Sequence, residues 1–477
     1  MIEKTINGVH NQNVANPHVV VIPYPSQGHI NPLLQFAKRL ASKGIKATLV
    51  TPKHTLSSFS SLENVVFEPI SDGFENRGSP EVGSEDLFLS AFKSNGSISL
   101  SRLIETHQNS AFPVTCVVYD AFLPWALDVA KAYGLLGAAF FTNSAAVCSI
   151  FCCVSHGLIE LPLNPDQVRT VLPKMPLFKG NDFPTFLRKP ETYPAYLTMK
   201  LSQFSNLHLA DWMFCNSFDD LELKVIEGVQ DKWAAKMIGP MVPSSYLDGR
   251  IEGDIGYGSS LWKPSSEKCK EWLKTKPKNS VIYVSFGSMV SLTQQQTEEI
   301  ALALKQSNYN FLWVVRETQV NKLPKGFQQE LCMTKKGIIV TWCNQLEILG
   351  HEAIACFVTH CGWNSTLEGL SLGIPMVGVP QWSDQLPDAK FIEEVWGVGV
   401  WAKEDDKGVV RKEILGECLK EVMEGEKGKK IRENAIKWRE LSKKAVDNDG
   451  SSDKHIEDFV QHLRCNCFAK TKSNGFR

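Results

Sequence analysis

From Trp342 to Gln385 the chain reads WCNQLEILGHEAIACFVTHCGWNSTLEGLSLGIPMVGVPQWSDQ. Three groups of residues in this stretch suit three parts of one ligand. Trp342 follows an apolar run, Gly337–Thr341, and offers a flat ring on which a base can stack. His360-Cys361-Gly362-Trp363-Asn364-Ser365 lies between a predicted strand, Ala355–Thr359, and a predicted helix, Thr366–Leu372. A turn with Gly, followed by Asn and Ser at the N-cap, presents free backbone N–H groups and a positive dipole end, which suit a phosphate. A second strand, Ile374–Pro380, leads to Asp384 and Gln385, a carboxylate and an amide able to grip hydroxyls. Ring, phosphate cradle and hydroxyl clamp, in that order, describe a nucleotide-sugar site.

The first half of the chain offers candidates of a different kind. His18–Pro23 is a β-branched run of the sort buried on both faces of a sheet. After it, Ser26-Gln27-Gly28-His29 turns into a helix predicted to start near Pro32, with Leu33, Phe36, Ala37 and Leu40 on one face and Gly44 closing it. With the strand Ile45–Thr51 this makes a βαβ unit. It puts His29 at the carboxyl end of a strand, where open α/β sheets bind ligands. A turn histidine without chemistry is the competing reading. Asp120 similarly follows the strand Val114–Tyr119, ahead of a predicted helix Trp125–Tyr133, and its competing reading is an N-cap. Thr142 follows the strand Leu135–Phe141 and falls on the same rim.

These residues need two sheets to carry them. Beyond a Gly- and Ser-rich stretch without apolar period, Ser280–Phe286 begins a second unit: strand, Gly287-Ser288 turn, helix from Thr293 to Gln306, strand Asn310–Val315. The expected architecture is α/β, with two doubly wound Rossmann-like domains facing across a cleft. The expected divisions are a disordered leader 1–17, a domain 18–245, a linker 246–266, a second domain 267–450 and a terminal segment 451–477. Residues 71–86 read as an exposed loop. Residues 155–210 read as irregular, with Phe178, Phe183, Phe186, Tyr193, Tyr196 and Phe204 available to wall an apolar pocket or to plug minor cores. Residues 411–446 read as charged helices with a solvated face, and a last helix is predicted over Asp453–Leu463, before a frayed polar tail.

Composition narrows the function. At 477 residues the chain exceeds one ordinary core, and 51 Lys+Arg against 52 Asp+Glu, without a long basic run, disfavour a nucleic-acid partner. Thirteen scattered cysteines, without C-x-x-C, favour a reducing compartment and buried, inert thiols. Ala132–Ser155 carries no charge, but Thr142, Asn143 and Ser144 interrupt it, so a strand and a core helix are expected rather than a membrane span. The polar start shows no signal peptide, and a cytoplasmic, monomeric protein is expected. Neither turn after Val21 or Phe286 carries G-x-G-x-x-G, and no G-x-S-x-G is present, which disfavours a nicotinamide dehydrogenase and a serine hydrolase.

The stretch Trp342–Gln385 resembles the signature box of the plant secondary-product glycosyltransferases, which use UDP-sugars. The matching elements are W-x-x-Q, THCGWNS, Glu368, GIPM and the closing DQ. Two departures stand out: Asn344 where the family usually has Pro, and Ala355 where it usually has Gly. SQGHINP (26–32) and VYDAFLP (118–124) resemble the family's two catalytic loops, so the resemblance covers most of the chain. It implies the GT-B type of fold, with acceptor on the first domain, donor on the second, and a last helix crossing back onto the first domain.

The chemistry that the resemblance implies is inverting transfer of glucose from UDP-glucose to a hydroxyl or carboxyl of a small lipophilic plant metabolite, giving a β-glucoside. His29 is expected to be the general base and Asp120 the carboxylate that orients it. His360, Ser365, Asn364 and Ser288 are expected at the pyrophosphate, and Trp342 on uracil. Gln345 is expected at the nucleoside and Glu368 on the ribose. Trp363, Asp384, Gln385 and Thr142 are expected around the sugar, with Cys343 and Gly362 also in the donor site. In the family, Gln at the final box position goes with glucose and His with galactose. No permanently bound cofactor and no metal are expected: Asp447-Asn448-Asp449 forms a D-x-D, but it follows a helix far from any strand end and reads as a solvated turn. The competing reading, from another class, is an inactive relative that only binds a small lipophilic ligand.

Overall fold

The computed structural model describes residues 17–59, 64–74, 85–258 and 265–474. Seven strands form the first sheet: β1 (His18–Ile22), β2 (Lys46–Pro52), β3 (Val65–Ile70), β4 (Val114–Asp120), β5 (Leu136–Phe141), β6 (Trp212–Cys215) and β7 (Lys236–Met237). Their order is β3-β2-β1-β4-β5-β6-β7, and every pairing is parallel. Six strands form the second: β8 (Val281–Ser285), β9 (Asn310–Val314), β10 (Gly337–Val340), β11 (Ile354–Thr359), β12 (Met376–Gly378) and β13 (Gly399–Trp401). Their order, β10-β9-β8-β11-β12-β13, repeats the same doubly wound pattern, again all parallel. Strand order reverses between β1 and β4 in one sheet and between β8 and β11 in the other. At those switch points the loops diverge and leave a crevice. The two-Rossmann α/β architecture is therefore present.

Continuous apolar runs made β1 and β8 legible, since every residue of both strands is buried. Ala132–Ser155 resolves into β5 and the helix Ala145–Ser155, as expected, and no described helix is long and apolar enough to cross a membrane. The first helix differs from expectation. It runs Gln27–Ser42, so Pro32 sits inside it rather than at its first position. The irregular reading of 155–210 is also corrected, because helices Pro165–Val171, Thr185–Arg188 and Pro194–Ser202 punctuate it. Each is too short for a periodic apolar face to show.

The last helix, Ser451–Asn474, is longer than predicted and takes in the tail expected to fray. Its Ile456, Phe459, Val460 and Leu463 join the first domain's core beside Val19, Val21 and Phe36. Phe459 lies 5.0 Å from Phe214 and 5.5 Å from Trp212, so the chain does cross back onto its first half. The stretch from residue 246 to 258 is pinned, not slack: Lys38 meets Asp254 at 2.7 Å, Arg39 meets Asp248 at 3.0 Å, and Arg250 meets Asp453 at 2.8 Å. Residues 259–264 of the expected linker, 75–84 of the expected loop and 1–16 of the leader lie outside the described residues. None of the thirteen cysteines, all among the described residues, forms a disulfide; most are buried, but Cys332 and Cys465 are exposed.

Candidate active site

A cleft of about 1220 Å³ opens between the carboxyl ends of the two sheets. His29, Thr142, Ser288, Trp342, Cys343, Gln345, His360, Gly362, Trp363, Asn364, Ser365, Glu368, Asp384 and Gln385 all line it. Asp120 stands one layer behind, 1% exposed.

On the first-sheet side, His29 occupies the first turn of the helix Gln27–Ser42 and Asp120 is the last residue of β4. Because β1 and β4 are adjacent, the two meet: His29 Nδ1 lies 2.6 Å from Asp120 Oδ2. Oδ2 also accepts from Tyr24 N at 3.3 Å, and Oδ1 accepts from Phe122 N at 3.0 Å. Asp120 does not cap the following helix, Pro124–Ala132, whose N-cap position is Leu123. The His29 ring is held edge-on to Tyr24 (5.3 Å) and tilted on Phe122 (4.6 Å), with Thr142 Oγ1 3.1 Å from Nδ1. With Nδ1–H committed to the carboxylate, Nε2 is the lone-pair nitrogen.

The second-sheet side is a network that satisfies itself. Gln345 donates through Nε2 to Ser365 Oγ (2.9 Å) and Glu368 Oε2 (2.7 Å), and its Oε1 accepts from Tyr283 OH (3.2 Å). Tyr257 OH donates to the other Glu368 oxygen at 2.8 Å. Burial pushes the Glu368 carboxyl up to about 7 against those two donors. Burial likewise pushes His360 down to about 4, despite the opposing pull of Asp384, leaving a neutral imidazole. That ring is wedged between two glycines. A Cβ at Gly287 (φ +67°) would come within 2.8 Å of it, and one at Gly362 within 2.5 Å. The helix Trp363–Leu372 starts at Gly362 and aims its N-terminus into the cleft.

Several of these residues also make contacts within the protein. Asn364 Nδ2 donates to Gly28 O across the cleft at 2.6 Å. The indole of Trp363 is 3% exposed and donates to Asn216 O at 2.7 Å, so the ring also joins the two domains. Gln385 Oε1 accepts from the N–H groups of Gln381 and Trp382, which braces the loop and leaves its amide nitrogen for a ligand. Asp384 Oδ2 accepts from Asn143 Nδ2 at 2.6 Å. Of the loop aromatics, only Phe186 and Tyr196 wall the cleft, stacked at 5.2 Å with Trp382 edge-on to both. Phe178 and Phe183 stack on each other in the core, and Phe204 packs on Phe141.

Sequence reasoning missed Asn143, Lys200, Tyr257 and Arg316. Arg316 follows β9 and grips the carbonyls of Ser288 and Val290, setting the shape of the Ser288 loop. Its position two residues past the end of β9 was the available signal, as was the adjacency of Asn143 to Thr142. Asp447-Asn448-Asp449 lies in the turn between the helices Gly425–Val446 and Ser451–Asn474, and no described group of three His, Cys, Asp or Glu is placed to hold a metal.

Comparison with known proteins agrees with this geometry. Residues 235–445 match the family model described as UDP-glucoronosyl and UDP-glucosyl transferase, and residues 15–58 match a glycosyltransferase N-terminal domain. UDP-glycosyltransferase 74B1 of Arabidopsis thaliana is 49% identical, with 94% of this chain and 97% of that one covered. Flavonol 7-O-beta-glucosyltransferase UGT74F1 of the same plant is 43% identical over 94% of this chain and 98% of its own. The crystal structure of Os79 from O. sativa in complex with UDP superposes with a TM-score of 0.90 at 36% identity, covering 93% of this chain and all of that one. The fold and site thus define a glycosyltransferase enzyme of GT-B type. The chain belongs to the UDP-glycosyltransferase family, whose plant members act on small molecules.

Proposed function

We propose that the protein transfers glucose from UDP-glucose to a small lipophilic metabolite, a phenolic, terpenoid or steroid, at a hydroxyl or carboxyl, with inversion to a β-glucoside. One observation carries this reading: the 2.6 Å contact between a cleft-lining imidazole and a carboxylate buried behind it. Asp120 fixes the Nδ1–H tautomer and stabilises the imidazolium that forms as Nε2 takes the proton of an acceptor hydroxyl. The acceptor oxygen attacks C1 of the sugar, and the bond from C1 to the diphosphate breaks with its electron pair leaving on UDP. His360, Ser365 and the helix N-terminus at Gly362 receive that charge, in a site that needs no metal.

The first domain (18–245) would hold the acceptor and the second (267–450) the donor, with residues 246–266 between them. One chain supplies every group, so a monomer suffices, and the free thiols fit a cytoplasmic setting. The names of the Arabidopsis relative and the UDP-bound rice structure support the donor and the acceptor class. The test is UDP release from UDP-glucose with a panel of phenols, in wild type and His29→Ala. Binding of a phenol without UDP release identifies the inactive-relative alternative instead.

A further inference from the structure

Lys200, on the helix Pro194–Ser202, lines the cleft yet is only 4% exposed. Among the described residues no carboxylate pairs with it directly, and its one hydrogen-bond acceptor is Asn143 Oδ1, at 2.6 Å. The same amide donates through Nδ2 to Asp384 Oδ2, also at 2.6 Å. Only one orientation of the amide serves both neighbours, since its NH2 cannot face an ammonium and its oxygen cannot face a carboxylate. Cation, amide and anion therefore form one relay of hydrogen bonds that starts in the first domain and ends in the second. A buried ammonium left alone is costly, and the relay supplies the counter-charge that no direct ion pair provides. Burial lowers the proton affinity of the amine, and Asp384 is the first of the groups opposing that shift.

Neighbouring contacts fix the register of this relay. Ser144 Oγ donates to Asp388 Oδ1 at 2.8 Å, so two consecutive residues ahead of the helix Ala145–Ser155 grip two carboxylates one helical turn apart. One residue before Asp384, Ser383 O accepts from Thr185 N at 3.1 Å. Asp384 Oδ1 accepts from no described residue, and Asp384 lines the cleft. We propose that Lys200 and Asn143 are positioning residues for Asp384: they hold its Oδ2 and aim its Oδ1 at a hydroxyl of the donor sugar. This rests on the glucose transfer proposed above. The carboxylate torsion of an aspartate is otherwise broad, and a turned carboxylate meets the hydroxyl at the wrong angle. A sugar contact of the second domain is thus set by the first, and it is complete only when the two are closed on each other. UDP, which lacks the sugar, does not sense it.

The measurement is calorimetric affinity of the full-length protein for UDP and for UDP-glucose, without acceptor. Asn143→Ala cuts the relay at its middle. Lys200→Met cuts it at its start and leaves the amide free to turn. In each variant UDP-glucose affinity should fall about fivefold or more, while UDP affinity stays within about twofold. Asn143→Asp should lose more than Asn143→Ala, because it sets a second carboxylate against Asp384 and has no donor for it. The double variant Asn143→Ala/Lys200→Met should lose no more than Asn143→Ala, since the relay is already cut.

Three results overturn the assignment. One is unchanged UDP-glucose affinity in Asn143→Ala that melts as a folded protein. Another is an equal loss for UDP and UDP-glucose, which makes the relay a strut of the domain interface. The third is a double variant whose loss is the product of the two single losses, which makes Lys200 and Asn143 act separately. If Asn143→Ala does not fold, Lys200→Met carries the first two tests. Binding is read without an acceptor, so a protein that shows the relay effect but releases UDP with no acceptor strikes the proposed transfer and not the positioning of Asp384.

Discussion

Asn364 donates a hydrogen bond to the carbonyl of Gly28, joining the second-sheet side of the cleft to the turn that carries His29. Pro32 makes this possible. It sits inside the first helix and has no N–H to offer the carbonyl four residues earlier, which is that of Gly28. The missing intrahelical bond is replaced by one from the other domain. In Asn364→Ala the turn carrying His29, the proposed base, loses this link to the second domain. We expect kcat to fall about fivefold, the worth of one net hydrogen bond of roughly 1 kcal/mol. Calorimetric UDP affinity should stay within twofold. A large loss of UDP affinity would instead return Asn364 to the phosphate.

His29→Ala should lose about 10²-fold or more of turnover on an alcohol while still binding UDP, because the nucleotide side of the cleft comes from the other sheet. Steady-state rates on an aliphatic alcohol, paired with UDP titration, check this. Near wild-type turnover would remove His29 from the base role.

Asp120→Asn should reduce turnover strongly with little loss of stability. Asparagine has a single acceptor oxygen: placed at Oδ1 it still accepts from Phe122 N, but its NH2 then faces Tyr24 N and His29 Nδ1, so the tautomer is no longer fixed. Rate per folded molecule and melting temperature separate the two effects. A sharp fall in Tm with intact turnover would mark a purely structural carboxylate.

Glu368 predicts a pH signature. A carboxyl raised from 4.5 to about 7 by burial holds its proton more tightly in the folded protein than in the unfolded chain. Ionising it therefore costs stability. The loss begins as pH rises through 4.5 and is complete above about 7, amounting to about 1–3 kcal/mol. Glu368→Gln should flatten this part of the stability profile, measured by urea unfolding between pH 4.5 and 8, and should weaken UDP binding at the ribose. A variant with the wild-type pH profile would contradict the raised value.

Under the proposed function, the sugar preference would be read at Asp384 and Gln385. With Gln385 Oε1 bracing the loop and Asp384 Oδ2 held by Asn143, one amide nitrogen and one carboxylate oxygen remain for the hydroxyls. The wrong epimer leaves these unpaired at roughly 1–3 kcal/mol each. Gln385→Ala should shrink the wild-type preference for UDP-glucose over UDP-galactose in kcat/KM. An unchanged ratio would reduce Gln385 to a loop brace.

What the chain determined by itself were the elements and the rim. Apolar runs such as His18–Ile22 and Val281–Ser285 are strands because every side chain in them is buried. The residues just beyond strand ends fall at the cleft because doubly wound sheets open there. That local rule, with the Trp342–Gln385 signature, was enough to place His29, Thr142, His360 and Asp384 on one cavity. The resemblance had paired Asp120 with His29, but only the tertiary structure decides how such contacts are made. The Asp120–His29 contact needs β1 beside β4, and Asn143 on Asp384 needs one domain closed on the other, over separations no periodicity encodes. It also decided charge. The fold buries the Lys200 ammonium over Phe122 and encloses the Glu368 carboxyl between Gln345 and Tyr257. Burial depends on what distant segments do, so the electrostatics of the cleft follow from packing and not from sequence pattern.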